Sequence, residues 1–129
     1  MNKSTDTGVE IARNKQIITI MLDTEYRFGE VYPLASQIRS TDDRAHFKNI
    51  FSTANGGVVL VALKAGQVLD THTAPAEVMV NVVEGKIEFT MLDKVHTISA
   101  GEFLLMGHDV PHSVKAVADS KMMLVKVKA

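Results

Sequence analysis

The chain has 129 residues, enough for one domain that buries its own core without disulfides or a structural metal. Hydrophobic residues make up 46% and the formal charge is −1, which excludes a disordered chain, and the scattered Lys and Arg form no basic patch of the kind that nucleic-acid binding needs. Cysteine is absent, which removes thiolate metal sites and cysteine nucleophiles, and no apolar run approaches the roughly 18 residues needed to span a bilayer.

Residues 1 to about 15 are polar and are expected to be mobile. Their stretch "MNKSTDTGVEIARNK" holds no apolar core of signal-peptide length, so a cytoplasmic location is expected, with no membrane partner. "QIITIML" (Gln16 to Leu22) is apolar and β-branched and predicts a short strand or a helical turn. "YPLASQIRS" places Pro33 at a helix start, with Leu34, Ala35 and Ile38 spaced for one or two helical turns. Residues 1–45 thus form an N-terminal extension, and 46–129 a β domain.

From Phe47 onward, short β-rich runs alternate with turn residues: "FKNIFS", "GGVVLVALKAG", "QVLDTH", "EVMVNVVEG", "KIEFTML", "VHTISAG", "EFLLMG", "HSVKAV" and "MMLVKVK". Many short strands with no long helical pattern between them predict an antiparallel sandwich or barrel. "MLDKV" reads as a hairpin turn. Alternation puts Val78, Val80 and Val82 on one face and Glu77, Met79 and Asn81 on the other. It puts His112, Val114 and Ala116 together, opposite Ser113 and Lys115, so His112 is expected to point inward. His72 shares parity with Asp70 and Val68 and is also expected to face inward.

The strand pattern and glycine spacing resemble the cupin superfamily, in particular its small single-domain conserved-barrel members. Gly66, His72 and Gly85 fall in register with the family's first motif, and Gly101 and His112 with its second. "VVEGKIEFTM" and "ISAGEFLLMGHDVPHSVKA" are phrased like the family, and the similarity runs from about Val58 to the C-terminus. The resemblance implies an all-β double-stranded β-helix, the cupin jelly-roll barrel. It also implies a homodimer built through edge strands and exchanged N-terminal segments, and the apolar "IITIML" supplies a surface to bury.

The departures lie where the family's chemistry would be. Its usual metal ligands are three His and one Glu. Ala74 stands at the second histidine, Val78 at the glutamate, and Gly107, Asp109 and Ala116 replace three other motif residues. His72 and His112 remain as metal ligands, and Glu77, one residue from the expected position, joins them only if its strand bulges. Asp70 is a further carboxylate, Met106 is a candidate lining residue, and His108 is expected to border the barrel mouth. His96 reads as a cross-strand polar residue, and His46 as surface.

Three functions follow. In the first, a pocket marked by His72, His112, Asp70, Val78, Met106 and His108 binds a small molecule, beside a metal site that has lost donors. In the second, a metal-dependent enzyme of dioxygenase or isomerase type uses His72, His112 and one carboxylate to hold a divalent iron, nickel, zinc or manganese ion. In the third, one histidine acts without metal as general acid or base.

Overall fold

The structure, a computed structural model, describes residues 10–13, 16–19 and 22–128. In chain order the described elements are β1 (Glu10–Arg13), β2 (Gln16–Thr19), a 3-10 turn (Ala35–Gln37), β3 (His46–Thr53), β4 (Gly56–Leu63) and β5 (Val68–His72). Then come β6 (Glu77–Glu84), β7 (Lys86–Met91), β8 (Lys94–Ser99), β9 (Phe103–Met106), β10 (His112–Ala116) and β11 (Ser120–Val127). One sheet runs β5-β10-β7-β8 and the other β3-β4-β11-β6-β9, with neighbouring strands antiparallel. The all-β jelly-roll expected from the sequence is the observed architecture.

Alternation builds the core. Val78, Val80 and Val82 of β6 are buried, while Glu77 is exposed. His112, Val114 and Ala116 of β10 are buried, while Lys115 is exposed. These inward rows meet Ile87 and Phe89 of β7, Ile98 of β8, Met106 of β9 and Met122 of β11 in one cluster between the sheets. Each Val, Ile, Phe or Met so buried contributes about 1.5–3 kcal/mol relative to exposure.

The β7–β8 hairpin turns at Leu92-Asp93, with φ of 51° and 59°. Positive φ at both central residues matches the right-handed twist of the flanking strands, so the hairpin read in "MLDKV" forms although neither residue is glycine.

Around Ile38 the extension packs on the outside of the larger sheet. The helical signal in "YPLASQIRS" yields a single 3-10 turn, tied by Gln37 Nε2 donating to the Pro33 carbonyl at 2.8 Å. Ile38 follows it and is buried with Leu60 and Ala62 of β4. Lys121 Nζ donates to the Ala35 carbonyl at 2.6 Å, and Asp23 pairs with Ser52 through backbone bonds of 2.8 and 2.9 Å. "QIITIML" resolves as a strand over Gln16–Thr19, paired with Glu10–Arg13. The mobility expected of residues 1 to about 15 falls largely outside the described residues, as do Ile20 and Met21. Among the described residues no helix is long and apolar enough to cross a membrane.

Candidate functional site

Between the sheets lies a cavity of about 590 Å³. Its walls are mostly apolar: Val78 and Val80 of β6, Phe89 of β7, Met106 of β9, and Met122 and Leu124 of β11. Phe47 and Val68, on the edge strands β3 and β5, border it while more than half exposed.

Five of the six pocket residues expected from the sequence line this cavity: His72, His112, Asp70, Val78 and Met106. His108 does not. The Asp109 N–H donates to the Ala74 carbonyl at 2.9 Å, tying that turn to the segment after β5. The His108 side chain is left 53% exposed, its Nδ1 2.9 Å from Asp109 Oδ2. Glu77 is also outside. The β6–β9 pairing runs unbroken from Val78 to Asn81, so no bulge turns Glu77 inward.

The two histidines meet across the β5–β10 pair. His72 and His112 are register partners, with ring centroids 4.1 Å apart and planes at 58°. His112 also stacks on Phe89, at 5.4 Å and 13°. His72 borders the cavity while itself exposed, on the edge strand β5. Three residues of β10, from His112 to Val114, face four of β5, from His72 to Leu69. This bulge lets Leu69 pack with the core opposite Val114 while His72 still faces His112. Asp70, in the bulge, is exposed and borders the cavity.

Each imidazole is oriented by the backbone carbonyl two residues before it. His72 Nδ1 lies 2.7 Å from the Asp70 carbonyl oxygen, and His112 Nδ1 2.9 Å from that of Val110. A carbonyl oxygen only accepts, so in each neutral ring the proton is on Nδ1 and Nε2 keeps its lone pair. Burial pushes the His112 pKa below 6.5, and the charges of His72 and Lys126 push the same way against the Val110 carbonyl. The unfolded state therefore takes up the proton first. The His112 contribution to stability is flat above about pH 6.5 and falls as pH drops from there to the depressed value of the folded state. Replacing His112 with Gln is expected to flatten the pH 7 to pH 5 slope seen in urea denaturation. An unchanged slope would assign the acid sensitivity to other groups.

The family's metal site is not reproduced in the donor set. Ala74 and Val78 both line the cavity and carry no donor atom. Among the described residues no group of three or more His, Cys, Asp or Glu is placed to hold a metal ion. Asp70 therefore does not complete a site with His72 and His112. Two imidazoles are too few to compete with water for a divalent ion and fix its geometry.

One cavity residue carried no signal in the sequence reading. Lys126 of β11 lines the wall in line with Met122 and Leu124, between Gly57 of β4 and Val78 of β6. Its parity was legible from Met122. Which parity of β11 faces the core was not, because Met123 and Val125 make the other face apolar too.

The fold and part of the sequence are shared with known proteins. A conserved protein of unknown function from Streptococcus pyogenes has the same fold at a TM-score of 0.76 and 24% identity, over 82% of this chain and 93% of that one. An RmlC-like cupin protein from Desulfovibrio desulfuricans is 29% identical at a TM-score of 0.68, over 76% and 95% of the two chains. A cupin 2 conserved barrel domain protein from Leptotrichia buccalis is 26% identical at 0.72, over 75% of this chain and 47% of that one. No curated protein sequence matches the chain. The family model for the cupin domain matches residues 59–128, which is more than half of the sequence and takes in both histidines, and the chain belongs to the cupin family.

Proposed function

We propose that the protein binds a small, largely apolar molecule in the barrel cavity and presents it with two imidazole acceptors. The observation that carries this reading is the pair of fixed rings. His72 and His112 give their Nδ1 protons to backbone carbonyls, which leaves Nε2 of each as an acceptor. A ligand with an O–H or N–H donor and a hydrocarbon or aromatic body fits such a wall. Each hydrogen bond from it adds about 0.5–1.5 kcal/mol net, while burial of the body supplies most of the affinity.

The alternative is a metal-dependent enzyme using His72, His112 and a carboxylate, which would require Asp70, exposed at the cavity edge, to turn toward the two imidazoles. One set of measurements separates the two. The untagged protein is incubated with iron, nickel, zinc or manganese, desalted, and its metal content measured by mass spectrometry. Its thermal unfolding is then followed with phenol, 2-(4-hydroxyphenyl)ethanol and 1-octanol. Metal well below one equivalent and a raised Tm with at least one probe, reduced in His112→Phe, are expected. Near one equivalent of metal, lost in the His72→Ala/His112→Ala double variant, would establish the enzyme reading instead. No Tm shift with any probe would overturn ligand binding.

A further inference from the structure

Lys126 is the lysine that lines this cavity. Its alternation with Met122 and Leu124 turns its side chain into the cavity wall. Its register partner on β4 is Gly57, which adds no side chain beside the lysine stem, and its partner on β6 is the buried Val78. Among the described residues no carboxylate forms an ion pair with Lys126. Two other lysines show the contrast: Lys121 of β11 lies 3.6 Å from Glu84, and Lys64, just after β4, lies 3.3 Å from Asp119.

The titratable groups around the cavity are Asp70, His72, His112 and Lys126. His112 is neutral at pH 8, since burial holds it below 6.5. The permanent charges are Lys126 and Asp70. They act differently on a ligand inside. Asp70 sits exposed on the edge strand β5, where water and salt screen it. Lys126 sits half-buried on β11, in the interior of its sheet, where its field reaches the cavity through less water. A lysine stem along an apolar wall, with no ion pair among the described residues, is a ready seat for an anion.

We infer that the ligand is an apolar hydroxy-carboxylate: its carboxylate seats on Lys126 Nζ, its hydroxyl donates to the His72 and His112 pair, and its body lies against Phe89 and Met122. This rests on reading the cavity as a ligand site and adds the chemical class. A neutral ligand would leave the ammonium without a partner. A cationic ligand would be placed beside it.

The test compares 4-hydroxyphenylacetate with its neutral analogue 2-(4-hydroxyphenyl)ethanol by calorimetry at pH 8, on the full chain and on Lys126→Met and Lys126→Arg. Methionine keeps the stem and removes the charge. Arginine keeps the charge. A charge-assisted bond predicts the acid binding about tenfold or more tighter than the alcohol. That preference is expected to vanish in Lys126→Met and to persist in Lys126→Arg, with the alcohol's affinity unchanged in both. Equal binding of acid and alcohol, or a preference that survives Lys126→Met, overturns the anion assignment and leaves the cavity reading standing. Binding of neither overturns the anion assignment, and overturns the cavity reading as well where phenol and 1-octanol give no Tm shift. Tm values for the two variants near that of the parent show that any loss is not unfolding.

Discussion

Replacing Phe89 with alanine is expected to cost about 3–5 kcal/mol of folding stability, a large share of the roughly 5–15 kcal/mol that a domain holds in total. Phe89 is 2% exposed and lies in β7, between Val114 of β10 and His96 of β8. Its ring belongs to the core cluster and also forms part of the cavity wall, stacked on the His112 imidazole. Two losses therefore coincide. The core loses a buried aromatic, and the existing cavity widens instead of closing. Urea denaturation measures the first. The second is read from His112. With the Phe89 ring gone, water reaches the imidazole, and its pKa is expected to climb back toward 6.5 in an NMR titration. Phe89→Leu keeps most of the apolar volume and is expected to cost under about 1.5 kcal/mol. A loss below about 1 kcal/mol in Phe89→Ala would mean that the ring does not hold the core where β7 and β10 meet.

The same residues show what a sequence discloses. β6 and β10 were legible because their inner and outer residues differ in kind and their inward rows run without a bulge: Val78, Val80 and Val82 are buried, and so are His112, Val114 and Ala116. β5 was not legible in the same way. Alternation groups Val68, Asp70 and His72, yet the bulge opposite Ser113 puts Leu69 into the core and leaves Asp70 exposed. A bulge depends on how two strands pair, and that is not written within either one. Lys126 was hidden for a third reason. The larger sheet is apolar on both sides because Ile38 of the extension covers Leu60 and Ala62 on its outer face. Met123 packs against that outer cluster, so β11 offers two apolar rows and no contrast to choose between them. His108 was misplaced because neighbouring a barrel-facing strand does not decide which way a turn side chain leaves. The Asp109–Ala74 backbone bond decides that.

Gly85→Ala is the second large effect, and its size separates two roles a glycine can have. Gly85 connects β6 to β7, where the chain leaves one sheet for the other, with φ at 83°. An alanine in that left-handed region is strained by about 1–2 kcal/mol. A Cβ there would also overlap the Asp119 carbonyl oxygen and the Ser120 Oγ, and stand 2.8 Å from the Ser120 Cα. These atoms have nowhere to go. Ser120 is 2% exposed, and its Oγ accepts from the Lys86 N–H at 3.0 Å and lies 2.7 Å from the Ala118 carbonyl oxygen. Making room means breaking buried hydrogen bonds, and each donor or acceptor left unsatisfied costs about 1–3 kcal/mol more. The total is expected to exceed about 3 kcal/mol. Gly101 supplies the control. Its φ of 88° imposes the same strain, but a Cβ there meets nothing within 4 Å. Gly101→Ala is therefore expected to lose only the conformational part, about 1–2 kcal/mol. The difference between the two variants in urea denaturation measures the close approach of the β6–β7 connection to β11. Equal losses would mean that Gly85 serves only its backbone angle, and that the Ser120 contacts yield to a methyl group.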